Sequence, residues 1–188
     1  MTNPAIGTVV LVEGVSDQLA VETLARRLGR DLPAEGIAIV AMGGATNVKR
    51  HLEFFGPPGL DVRLAGLVDE GEVRVFARAL ERIGFGDELT RGDMERLGFY
   101  VCVRDLEDEL IRALGPRVVE QILDREGDLH AFRTFQKQPE QRDRHDQARL
   151  RRFMGTRGGR KHYYAPVLVN ALELDAVPAP LDKLLAHL

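Results

Sequence analysis

Apolar positions along the chain follow two rhythms. Four short runs, Gly7–Val12, Gly36–Met42, Val62–Val68 and Phe99–Val103, are nearly continuous in apolar or β-branched residues. That is the pattern of strands buried on both faces of a parallel sheet. Between them the spacing turns helical. Leu19, Ala20, Leu24 and Leu28 share a helical face that Ser16 is placed to cap and Gly29 to end. Asn47–Phe55 predicts a shorter helix, stopped by Gly56-Pro57-Pro58-Gly59, and Val73–Ile83 carries a stripe of Val75, Phe76, Ala79, Leu80 and Ile83. Leu106–Leu114 follows the fourth strand and stops at Gly115-Pro116. Beyond Gly115 strand signals fade. Val118–Leu123, Leu129–Phe135, Gln141–Phe153 and Tyr164–Leu172 read as helices, and Pro178–Leu188 as a short closing segment. The expectation is an α/β core over residues 1–115, a four-stranded parallel sheet flanked by helices. A helical C-terminal extension, residues 116–188, would pack on it.

Composition changes this picture little. The 188 residues suffice for one domain with a sizeable core, or a core plus an appendage. A chain 44% hydrophobic and 29% charged is ordinary for a soluble protein. No stretch approaches the roughly 20 apolar residues that span a bilayer. Met1–Pro4 has no positive leader region, and Val9–Val12 is too short for a signal peptide. A cytoplasmic protein without membrane contact is the expectation. Cys102, the single cysteine, lies within a strand run and reads as packing. The five histidines show no ligand spacing and read as surface residues. Tyr163-Tyr164 reads as packing of the extension, and no P-loop pattern occurs.

Charge is more informative. The net charge of −3 hides ten Lys/Arg against three Asp/Glu between Arg133 and Lys161, a local balance of +7. Such a stretch suits a polyanion beside an otherwise acidic body. A solvated helix face laced with ion pairs accounts for the same charges.

Ligands of open parallel sheets bind outside the carboxyl ends of the strands, so the exits matter most. The first strand leaves through Glu13-Gly14-Val15-Ser16-Asp17 and the second through Gly43-Gly44-Ala45-Thr46-Asn47. The third leaves through Asp69-Glu70-Gly71-Glu72 and the fourth through Arg104-Asp105-Leu106-Glu107-Asp108-Glu109. Carboxylates crowded at one rim repel unless a cation neutralises them. Oxygen donors without a cysteine or histidine cluster select Mg²⁺ or Mn²⁺. Simple compensation of helix dipoles also accounts for Asp17, Glu72 and Asp105, but less readily for Glu13.

These residues resemble a family. Val10-Leu11-Val12-Glu13-Gly14-Val15-Ser16-Asp17 is similar to the first motif of TOPRIM domains, with Gly43-Gly44 after the second strand. Leu67-Val68-Asp69-Glu70-Gly71-Glu72 stands at the Asp-x-Asp motif of that family, with Gly71 replacing the second aspartate. The resemblance is to the TOPRIM part of OLD-family (overcoming lysogenization defect) nucleases. There an acidic motif like Asp105-Leu106-Glu107 follows the fourth strand, and a lysine sits in the extension, as Lys161 does here. It covers about residues 7–115, and more loosely extends to about residue 173.

The resemblance implies a Rossmann-like TOPRIM fold and an endonuclease that uses Mg²⁺ or Mn²⁺ to hydrolyse phosphodiester bonds of DNA. Glu13 would be a metal ligand or general base, and Asp17 would support a metal. Asp69 would share a metal with Glu13, assisted by Glu70 or Glu72, and Asp105 with Glu107 would complete a second position. Lys161 would stabilise developing phosphorane charge. Arg149, Arg151, Arg152, Arg157 and Arg160 would hold the backbone through phosphate contacts. Such nucleases usually carry an ATPase ahead of the domain, so the chain is expected to stand alone or to use an ATPase partner in trans. A homodimer is compatible with the resemblance. Gly71 leaves two alternatives open: a catalytically degenerate nucleic-acid- or partner-binding module, and a TOPRIM ribonuclease or nucleotidyl transferase acting on RNA or DNA.

Overall fold

The computed structural model describes residues 5–188; Met1–Pro4, read above for a leader, lie outside the described residues. The four expected strands are present as β1 (Thr8–Val12), β2 (Ile37–Ala41), β3 (Arg63–Asp69) and β4 (Phe99–Cys102). All pair in parallel in the order β2-β1-β3-β4. Ten helices accompany them among the described residues. The first five are α1 (Val15–Arg27), α2 (Val48–Phe55), α3 (Val73–Arg82), α4 (Arg91–Arg96) and α5 (Leu106–Leu114). The rest are α6 (Pro116–Arg125), α7 (Leu129–Gln136), α8 (Asp146–Met154), α9 (Arg160–Ala171) and α10 (Ala179–His187).

Strand alternation sends side chains to two separate cores. Val10, Val12, Ala65, Leu67, Tyr100 and Cys102 pack on one face with residues of α1, α5 and the helices after Gly115. Val9, Leu11, Leu64, Val68, Phe99 and Val101 pack on the other with α2, α3 and α4. Both faces are covered, which is why the strand runs are continuously apolar. Gly66 lies between the two central pairings, where a Cβ would stand 2.6 Å from Leu11 O and 3.0 Å from the Phe99 ring.

Several local expectations need correction. Ser16 does not cap α1: it is buried in the first turn, and Gly14 takes the capping position. Asp17 supplies the cap from inside the helix, its Oδ2 accepting the Gly14 N–H at 2.8 Å. The helix predicted over Gln141–Phe153 is instead a 3₁₀ turn, Pro139–Gln141, followed by α8. α8 starts at Asp146 because His145 caps it, its Nδ1 accepting the Ala148 N–H at 3.3 Å. α9 starts at Arg160, four residues earlier than the apolar pattern indicated, because Gly159 at φ 82° sets its start. The closing segment is a helix, α10. The tyrosine pair divides: Tyr164 is buried and its hydroxyl lies 3.0 Å from Asp128 Oδ2, whereas Tyr163 is exposed and hydrogen-bonds Glu126. Cys102 is buried, as read.

Candidate active site

The sheet order brings the acidic exits together. β3 lies between β1 and β4, so Asp69 at its end is flanked by the exits of both neighbours. Asp69 pairs with Cys102, and the β1–β3 register reaches Leu11 and Gly66, two residues before Glu13. Glu13 and Asp69 therefore stand on either side of the gap between β1 and β3. The connection from β1 runs through α1 on one face, and that from β2 through α2 on the other. This is a topological switch point, where open α/β sheets bind ligands. Gly44, at φ 116°, donates its N–H to Glu13 O at 3.1 Å and so ties the glycine pair to the first exit.

Three further carboxylates reach the same rim. Asp17 lies in the first turn of α1. Asp105 caps α5, its Oδ1 accepting the Asp108 N–H at 2.8 Å, and Glu107 is buried in the first turn of the same helix. Their fields overlap. Burial, followed by the charges of Asp17, Glu13, Asp105 and Glu107, pushes the Asp69 carboxyl up to about 8. Burial, with Glu107 and then Glu13, pushes Asp17 up to about 7 despite the Gly14 N–H and Lys161. Five carboxylates thus gather at one rim and raise one another's proton affinity.

Two cations from the helical extension offset part of that charge. Lys161 in the first turn of α9 pairs with Glu107 Oε2 at 3.1 Å. Burial opposes its charge, but Glu107, Asp105 and Asp17 raise its pKa above the ordinary lysine range. Arg151 on α8 donates from Nε and Nη2 to Asp105 Oδ2 at 2.6 and 2.5 Å. Among the described residues no group of three or more His, Cys, Asp or Glu side chains is arranged as a metal cage. The partners of the carboxylates supply a physical reason: Asp17 holds a backbone amide, Asp105 a guanidinium and Glu107 an ammonium. The residues nevertheless fit a hard divalent cation. Glu107 Oε1 is buried without a hydrogen-bond partner, every donor is an oxygen, and burial with neighbouring carboxylates pushes both Asp69 and Asp17 up.

Other predicted site residues are placed differently. Glu70 is exposed and turned toward β4, where its Oε2 accepts the Arg104 N–H at 3.4 Å. Glu72 ends the 3₁₀ turn Glu70–Glu72 that leads into α3. Arg149 binds the carbonyls of Gln141 and Arg142 at 2.9 and 2.8 Å, and Asp146 at 3.0 Å. Arg160 lies 3.9 Å over the Phe153 ring and 3.5 Å from Asp128. Arg152 and Arg157 are exposed.

Two participants escaped sequence reasoning. Arg104 adopts φ 65°, a left-handed conformation unusual for a side-chain-bearing residue, where the chain turns from β4 toward Asp105. Asp108, 2% exposed, is held by Arg112 at 3.2 Å and Gln147 at 2.9 Å. The i,i+4 spacing of Asp108 and Arg112 was a legible signal for one contact. Nothing in the sequence marks Gln147.

A four-stranded parallel sheet of this order, flanked by helices, is the TOPRIM fold. Residues 7–70 match the family described as overcoming lysogenization defect protein-like, TOPRIM domain. The chain has a TOPRIM fold and is similar to the OLD-like members over those residues. Its structure is similar to the C-terminal region of the Xanthomonas campestris pv. campestris OLD protein. The TM-score is 0.75 at 26% identity, over 96% of this chain and 91% of that one. It is also similar to the C-terminal region of the Burkholderia pseudomallei OLD protein. There the TM-score is 0.74 at 22% identity, over 97% and 96% of the two chains. No curated protein matches the chain in sequence. Among the described residues no helix is long and apolar enough to cross a membrane.

Proposed function

We propose that this chain is an endonuclease that hydrolyses phosphodiester bonds of DNA with the help of Mg²⁺ or Mn²⁺. One observation carries the reading: Glu13, Asp17, Asp105 and Glu107 all bear on Asp69 at the switch point of a TOPRIM sheet. Glu13 and Asp69 would hold one cation, with Asp17 in support, and Asp105 with Glu107 a second. A cation there would polarise the phosphodiester and ease formation of the nucleophile and departure of the leaving oxygen. Glu13 would take a proton from attacking water if it is not itself a ligand. Lys161 would stand against the charge that develops on the phosphorus oxygens, and Arg152 and Arg157 would contact phosphates from the exposed side of the extension. The test is a supercoiled-plasmid cleavage assay in Mg²⁺ and Mn²⁺. Glu13→Ala and Asp69→Ala should each reduce cleavage by about two orders of magnitude or more; equal cleavage by all three proteins rejects the assignment.

Lys161 and Arg151 sitting on two would-be ligands, with Gly71 at the Asp-x-Asp position, favour one second reading. In it the chain is a nucleic-acid-binding module with a silent site. Calorimetric titration with Mn²⁺ separates the two, because stoichiometric tight binding belongs only to the enzyme.

A further inference from the structure

Asp105 has one oxygen to offer, and Arg151 has taken it. Oδ1 is committed to the Asp108 N–H that closes the first turn of α5. Oδ2 receives both Nε and Nη2 of Arg151, so the guanidinium covers a single atom instead of bridging the two carboxylate oxygens. The two residues lie 46 apart in sequence, on helices packed side by side, so the contact joins the extension to the rim. Asp105 is buried, whereas the Arg151 side chain is 41% exposed. The guanidinium can therefore swing outward without leaving a cavity. Asp108 does not depend on it, being held by Arg112 and Gln147. The other carboxylate assigned to the same position, Glu107, keeps Oε1 buried and unpartnered.

A guanidinium and a divalent cation meet the same electrostatic need at Asp105 Oδ2 and exclude each other from it. We propose that Arg151 is an internal counter-ion that holds Asp105 in the metal-free protein and that a divalent cation displaces. The inference rests on the reading of Asp105 as a metal ligand. It makes Arg151 a positioning residue that sets the affinity of the second metal position. Occupancy of that position then depends on cation concentration.

Mn²⁺ alone, titrated calorimetrically into the full chain, tests this. Arg151→Gln removes the competitor, so Mn²⁺ should bind the Asp105 position roughly tenfold more tightly than in the wild type. Arg151→Lys, which keeps the charge but not the fork, should fall between. Adding Asp105→Asn to Arg151→Gln should cancel the gain. Unchanged or weaker binding by Arg151→Gln, with the wild type binding normally, overturns the inference and leaves the proposed function standing. Absence of Mn²⁺ binding in both proteins removes the metal site itself, and both readings fall together. If thermal melts followed by circular dichroism show that Arg151→Gln is unfolded without metal, Arg151→Lys carries the comparison. In that case Lys binding no tighter than the wild type is the overturning result.

Discussion

Gly71 occupies the position where the family resemblance expects an aspartate, and its surroundings have room for one. A Cβ there would meet nothing within 4 Å, and the residue is exposed in a short turn. Gly71→Asp is therefore expected to change folding stability by less than about 0.5 kcal/mol. It should tighten Mn²⁺ binding roughly tenfold, read by calorimetry. An unchanged affinity would show that a side chain at this position does not reach the cation. How far single residues were legible depended on chain distance. Glu13 and Asp69 could be singled out because each directly follows a continuous apolar run, and in a parallel sheet such positions share a rim. The anchoring of Asp17 by the Gly14 N–H was also within reach, since acceptor and donor are three residues apart. The Arg151–Asp105 pair was not. Both residues are prominent in the sequence, but only the packing of α8 on α5 brings them together.

Elements were legible in proportion to the apolar surface they bury. β1, β3 and β4 bury nearly every residue, the edge strand β2 half-buries most of its own, and all four are legible to within a few positions of their ends. α4 was missed, although Thr90 and Asp93 form a capping box, because its six residues bury only Met94. α9 was found late because its first turn is polar and only its later turns carry core residues. β3 was legible as a strand, but the reason for its one glycine was not. Gly66 brings the backbone of β3 against Leu11 O and the Phe99 ring more closely than any side chain allows. Gly66→Ala should therefore cost about 1–3 kcal/mol through forced displacement of a central strand. The urea midpoint of unfolding measures this, and a midpoint equal to that of the wild type would mean the sheet yields freely there.

At the scale of the molecule, the sheet's two apolar faces leave its carboxyl edge as the place where charge gathers, and that concentration makes stability depend on pH. Asp69 rises from an ordinary 3.8 to about 8, and Asp17 from 3.8 to about 7. The folded protein therefore holds these protons more tightly than the unfolded chain does. Their contribution to stability is fully present below about pH 4, where both states are protonated. It is lost as pH rises through about 7 and then about 8, because folding then requires buried carboxylates to lie charged beside one another. In chelator, the urea midpoint should fall between about pH 5 and about pH 8. Asp69→Asn retains the shape of the side chain but has no proton to release, and should lose much of that slope. Mn²⁺ should flatten the slope in the wild type by favouring the charged form, and should do so less in Asp69→Asn. A slope that survives unchanged in Asp69→Asn would place the pH dependence elsewhere in the molecule and remove the crowded rim as its cause.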